Sequence, residues 1–169
     1  MLRNNHYGVL ASLALTSLLS ACGGGNPYQG LTAEELFRLA QNEYQETEYE
    51  NAIRALDRFL VAFGDSEQVP AARMLLANSY FEREEFLTAR TEYQRFLDRY
   101  ASDPGAPQAA LGECRSLAEM SPEAPRDQTY TQEAVTVCGN VVVDFAGTPE
   151  STEAGAIAEG MRTVLAEKE

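Results

Sequence analysis

The chain has 169 residues and a formal charge of −13, with 26 acidic against 13 basic side chains. An acidic surface disfavours nucleic acid and direct adsorption on anionic lipid head groups. The single histidine, His6, lies in a segment expected to be removed, so zinc binding, catalytic triads and imidazole acid–base chemistry lose their usual residue.

A short polar start carrying Arg3 precedes an apolar run from Gly8 to Leu19. About 12 apolar residues suit the core of a signal peptide and are too few to span a bilayer. The run ends in Leu19-Ser20-Ala21-Cys22, which reads as a lipobox. Residues 1–21 are therefore expected to be cleaved, and Cys22 to be the lipidation site. An ordinary cleaved signal with a coincidental cysteine is the plainer alternative, but charge, apolar run, small residues and cysteine fall in the required order. Cleavage removes Arg3, leaving 26 acidic against 12 basic residues, a net −14. Membrane attachment is then expected through acyl chains, each buried methylene contributing about 0.8 kcal/mol. Gly23 stands where an aspartate would mark inner-membrane retention in many Gram-negative bacteria, which points to the outer membrane, facing the periplasm. Residues 22–31, rich in glycine, read as a tether.

Thr32-Ala33-Glu34-Glu35 supplies a capping box, and helical periodicity follows. Shifting the chain by 37 residues pairs Leu39 with Leu76, Ala40 with Ala77, Tyr44 with Phe81 and Tyr49 with Phe86. The same shift pairs Ala52 with Ala89, Phe59 with Phe96, Phe63 with Tyr100 and Pro70 with Pro107. One gap-free offset for so many pairs predicts repeated antiparallel helix pairs. Helix A is expected near 32–45 and 70–82, and helix B near 49–63 and 86–100. The alanines let paired helices approach, while the aromatics at 49, 59 and 63 and their counterparts are expected between hairpins. Gly64 is expected to end the first helix B in a left-handed conformation, and Pro70 and Pro107 to open new A helices.

A third unit continues from Ala109 to Met120, but its second helix is displaced by eight residues, so that Ala134 answers Ala89 and Phe145 answers Tyr100. The insert lies around Ser121–Gln128, a proline-containing loop. Cys114 and Cys138 fall on the two helices of this hairpin. The periplasm permits a disulfide, and two small buried thiols are the alternative. A further helix is expected from Glu150 to Glu169, a half-unit whose apolar face additional repeats would cover. The units run over about 32–69, 70–106, 107–149 and 150–169.

In such a stack the A helices line the concave face. Helical spacing puts Phe37, Gln41 and Tyr44 there in the first unit, Met74, Asn78 and Phe81 in the second, and Leu111 and Arg115 in the third. An apolar groove with amide rungs suits extended or hairpin peptides ending in an aromatic residue. Tyr44 and Phe81 have a plainer role in packing between hairpins. Glu43, Glu46, Glu48 and Glu50, repeated by Glu82, Glu84 and Glu85, read as solvated faces with a lesser claim to dock a basic partner. The sequence shows no phosphate-binding glycine loop, nucleophile elbow or metal-ligand spacing, and no catalytic residue or cofactor is expected.

Helix pairs of this size, with small residues at fixed offsets and a proline near each boundary, resemble tetratricopeptide repeats over about residues 32–169. The expected fold is an all-α solenoid. The lipobox, Asp57-Arg58-Phe59-Leu60, Phe96-Leu97-Asp98-Arg99-Tyr100 and above all Arg126-Asp127-Gln128-Thr129-Tyr130-Thr131-Gln132-Glu133-Ala134 are similar to the BamD (YfiO/ComL) family of outer-membrane lipoproteins. That resemblance implies a non-enzymatic scaffold of the β-barrel assembly machinery. Its implied partners are a BamA-like translocase, unfolded outer-membrane proteins and other assembly lipoproteins. The chain is shorter than full family members, which carry two more repeats. A repeat lipoprotein coordinating envelope or peptidoglycan processes, similar to the coordinator of the Tol–Pal system, is the alternative. A lytic-transglycosylase-like enzyme would need a catalytic domain outside the repeats.

Overall fold

The computed structural model describes residues 28–122 and 127–167. Residues 1–21, Cys22 and most of the glycine-rich tether lie outside the described residues. Seven helices follow in order: α1 (Ala33–Gln45), α2 (Tyr49–Ala62), α3 (Val69–Glu82), α4 (Phe86–Tyr100), α5 (Ala106–Glu119), α6 (Thr129–Asp144) and α7 (Pro149–Ala166). Each packs on the next, and α5 also packs on α7. The described part is therefore a right-through stack of three helical hairpins and one further helix.

Local chemistry sets the helix starts. Thr32 Oγ1 accepts from the Glu35 amide at 3.3 Å while the Thr32 amide donates to Glu35 Oε2 at 2.9 Å, completing the expected capping box. The Thr32 bonds hold the exposed Glu35 carboxyl below its usual range. Pro70, Pro107 and Pro149 stand in the first turns of α3, α5 and α7, where a missing N–H costs nothing. Thr148 also caps α7, accepting from the Ser151 amide at 3.1 Å.

Two hairpins close in the same way. The turns between α1 and α2 and between α3 and α4 each place one residue in the left-handed region, Thr47 at φ 62° and Glu84 at φ 61°. These positions are 37 residues apart, so the repeat extends to backbone conformation. Gly64 does not take the left-handed geometry expected of it. Helix α2 ends with Phe63 at φ −132°, its amide bonded to Phe59 O, and a Ser66 amide to Phe63 O turn redirects the chain. A left-handed glycine does stand at Gly147, between α6 and α7.

The core runs along the stack. Phe59 and Phe96, 37 residues apart, are fully buried, each ring contributing about 1.5–3 kcal/mol. Phe59 packs on Phe37 (centroids 5.6 Å) and Phe63 (5.8 Å), and belongs to a cluster that includes Val69, Ala72 and Leu76 of α3. It fills the space between hairpins, as expected. Tyr49 and Phe86 do something else: each packs across its own hairpin turn, on Tyr44 at 5.3 Å and Phe81 at 5.2 Å. The reason is proximity, since the tight turn brings the last turn of helix A against the first turn of helix B.

A candidate peptide groove and its limits

The A helices and the loops that enter them enclose an open groove of about 410 Å³. Its floor is apolar: Phe37 from α1, Met74 and Leu75 from α3, and Phe96 from α4. Gln41 and Asn78, at equivalent repeat positions, add one amide from each of the first two A helices, and Gln108 adds a third from α5. Glu67 and Asp103, on the loops before α3 and α5, bring two carboxylates to the same groove.

Several of these groups are held in place. The buried Tyr93 hydroxyl donates to Asn78 Oδ1 at 2.8 Å, which leaves the Asn78 N–H groups for another acceptor. Burial, first, and then the neighbouring Tyr44 raise the Tyr93 pKa far above the ordinary phenol value, so it stays a donor. Asp103 Oδ1 accepts from the Gly105 amide at 2.7 Å, fixing the loop that carries it. Helix α5 meets Tyr93 so closely that a Cβ at Gly112 would lie 2.4 Å from the ring. Glycine there sets how near the third A helix comes to the second hairpin.

The structure divides the eight concave-face residues expected from sequence. Phe37, Gln41, Met74 and Asn78 come together in the groove. Tyr44 and Phe81 do not line it; they are occupied by the ring contacts with Tyr49 and Phe86. Burial, then the nearby Glu82 carboxylate, raises the Tyr44 pKa. Leu111 is buried in a cluster with Cys114, Cys138, Ala154 and Ala158. Arg115 reaches α7 instead, its Nε and Nη2 lying 2.7 and 2.5 Å from Glu153 Oε1. The groove therefore reaches the third unit only at Gln108, in the first turn of α5, and stops short of Leu111 and Arg115. Ala154 and Ala158 let α7 approach α5, and that approach covers the Leu111 rung.

Sequence spacing missed the contributions of the inter-hairpin loops, Glu67, Asp103 and Gly105, because helical projection says nothing about loops. A signal was available: Ser66 and Asp103 are repeat equivalents, so Glu67 and Asp103 put an acid at nearly the same place in both loops.

Cys114 and Cys138 are joined by a disulfide between α5 and α6, with Cα atoms 5.0 Å apart. Beside it, Ser121 and Thr131 hydroxyls lie 2.5 Å apart, Thr131 donates to Gln128 Oε1, and Gln128 Nε2 donates to Pro122 O at 3.1 Å. Asp127 Oδ1 accepts from the Thr129 amide at 3.0 Å. The Asp127-Gln128-Thr129 segment thus ties the long loop to the start of α6. Among the described residues no group of three or more His, Cys, Asp or Glu side chains is arranged to hold a metal ion.

The model of the YfiO family, described as outer membrane lipoprotein, matches residues 29–169. The chain belongs to the YfiO family of outer membrane lipoproteins. The match covers every described helix. No curated protein matches the chain. Among solved structures, the chain is similar to the Yersinia enterocolitica type III secretion chaperone SycD in complex with a peptide of the translocator YopD. That similarity has a TM-score of 0.60 at 19% identity and covers 77% of this chain and 92% of the other. It places this YfiO-family chain in a tetratricopeptide-like helical fold. No described helix is long and apolar enough to cross a membrane.

Proposed function

We propose that this YfiO-family lipoprotein is a non-enzymatic scaffold of outer-membrane β-barrel assembly, anchored through acylated Cys22 after loss of residues 1–21. In this reading it holds a BamA-like translocase and other assembly lipoproteins, and its groove takes segments of unfolded outer-membrane proteins. The observation that carries the reading is the groove itself: an apolar floor from Phe37, Met74 and Phe96 with amides at Gln41, Asn78 and Gln108. Apolar pockets take alternate side chains of an extended peptide, and the amides bond its backbone. SycD, of the same fold, was solved with a translocator peptide, which supports peptide binding by such a stack. Acid at Glu67 and Asp103 favours neutral or basic flanks on the bound segment.

Photoreactive residues at Gln41 and Gln108 in the full-length protein, in its native envelope, test the reading. Both positions line the groove and are exposed. Capture of unfolded β-barrel proteins, with a BamA-like translocase co-purifying, is the expected result. Capture of Tol or peptidoglycan-linked proteins instead would sink the assembly role and favour the coordinator alternative.

A further inference from the structure

A second cavity, of about 370 Å³, is lined by Arg73 of α3 and by Arg95, Asp98 and Arg99 of α4. Three guanidinium groups thus converge in a chain whose formal charge is −13. The site lies apart from the groove. The groove residues of α3 are Ala71, Met74, Leu75 and Asn78, one helical stripe, and Arg73 falls on roughly the opposite side by helical spacing. Arg73 Nε is buried and meets no hydrogen-bond acceptor among the described residues. Of the three, only Arg95 is in an ion pair among the described residues, to the buried Glu92 one turn earlier, which holds its head group in position. A buried N–H without a partner is costly, so an acceptor brought by a ligand is favoured there.

We propose that this cavity is a docking site for an acidic segment of a protein partner, which places a carboxylate against Arg73, Arg95 and Arg99. Guanidinium forks match carboxylates two bonds at a time. Asp98 stands in the same cavity, and its charge opposes two charges concentrated on one phosphate group more than the single charge of each separate carboxylate. Charge complementarity is local: the three arginines outnumber Asp98 and the Arg95-bound Glu92, so a short segment is attracted, whereas the acidic surface beyond a screening length of about 8 Å repels an extended anionic membrane. The outward stripe of α4 adds an apolar anchor. Leu87, Thr91 and Arg95 follow at spacings of four, and Leu87 is 58% exposed. Leu87 and Arg95 are eight residues apart, roughly 12 Å along a helix. An extended segment spans that length in about four residues. The fitting occupant therefore carries an apolar side chain about four positions from its carboxylate.

The test uses the full-length lipoprotein in detergent micelles and a fluorescent peptide with a leucine four residues from a Glu-Glu pair. Its Gln-Gln counterpart, inorganic phosphate and anionic phospholipid vesicles serve as competitors. The expected result is saturable binding of the Glu peptide, weakened about tenfold by combining R95Q with R99Q. Binding is also expected to weaken in R73K, which keeps charge and bulk but loses the fork, and in L87S. R162Q, at an arginine paired with Glu159 on α7, should leave it unchanged. Thermal melts establish that each variant folds, and R73K covers the case in which the double variant does not. Equal loss in R162Q, equal binding of the Gln-Gln peptide, or displacement by phosphate or vesicles at matched anion concentration would overturn the proposal.

Discussion

The first two hairpins and the third solve one problem with different chemistry. In α1–α2 and α3–α4 the helices are registered at the turn, by a left-handed residue (Thr47, Glu84) and an aromatic pair across it (Tyr44–Tyr49, Phe81–Phe86). In α5–α6 the repeat equivalents of Phe81 and Phe86 are Ala118 and Thr131. The ring contact is gone, and a Ser121–Thr131–Gln128 hydrogen-bond clamp stands in its place. Registration moves to mid-helix, where Cys114 and Cys138 occupy the positions of Ala77 and Tyr93. A hairpin needs one strong registering device, and a longer loop shifts it from backbone geometry to a covalent bond.

Breaking the covalent device should have the largest effect. Replacing both Cys114 and Cys138 with alanine opens a cross-link spanning 24 residues, at a cost of about 3 kcal/mol. Denaturant melts of the double variant should show that loss. Hydrogen exchange should rise first in α6 and α7, with α1 and α2 protected as before; uniform loss along the stack would contradict separate registration of the hairpins.

Next in size is G112A, which drives a Cβ into the buried Tyr93 ring and should cost about 1–3 kcal/mol. The first hairpin has Leu56 where the second has Tyr93. Adding Y93L to G112A should therefore recover part of the loss. Simple addition of the two destabilisations in melting experiments would show that the ring is not what Gly112 accommodates.

T47G and E84G work in the opposite direction. Each relieves a side chain held at positive φ and should stabilise by roughly 0.5–1 kcal/mol, with T47G the larger because threonine is β-branched. Melts of the two variants check this, and no matching glycine gain exists in the third hairpin's clamp residues.

Glu113 gives the smallest effect. It is buried on α5, takes a 2.7 Å bond from Gln94 and lies 3.8 Å from Arg90. Burial dominates and raises its pKa above the ordinary carboxylate value, with the Gln94 bond and Arg90 opposing. The folded state therefore binds this proton more tightly than the unfolded state, so the ionised group costs stability above its raised pKa. That cost is relieved as pH falls through the raised pKa towards the ordinary carboxylate range. E113Q should melt about 1 °C higher than wild type near neutral pH. The gap should close on acidification through that window; a gap that widens would reverse the assignment.

Much of this was legible in the sequence. The 37-residue offset located the paired helices, because packing alanines and aromatics recur wherever two helices meet at the same distance. Prolines and the Thr32–Glu35 box marked helix starts, since both act through the local backbone. The groove was half legible. Phe37, Gln41, Met74 and Asn78 follow from helical spacing, but Leu111 and Arg115 were claimed by α7, whose small residues bring it onto α5. Sequence periodicity describes each helix face and not which neighbour arrives to cover it. Gly64 misled for a related reason: its loop turns by a Ser66–Phe63 bond and needs no left-handed residue.

The groove as the peptide-binding surface is tested most directly by titrating the full-length lipoprotein in detergent with a β-hairpin peptide ending in an aromatic residue. Wild type should be compared with A71W, since Ala71 is exposed on α3 and lines the groove. The indole is expected to fill the space and weaken binding about tenfold or more, with the melting temperature unchanged. The Cys114/Cys138 double variant, if folded, should bind as wild type does. An A71W protein that folds and binds the peptide with undiminished affinity would show that the peptide does not bind in this groove.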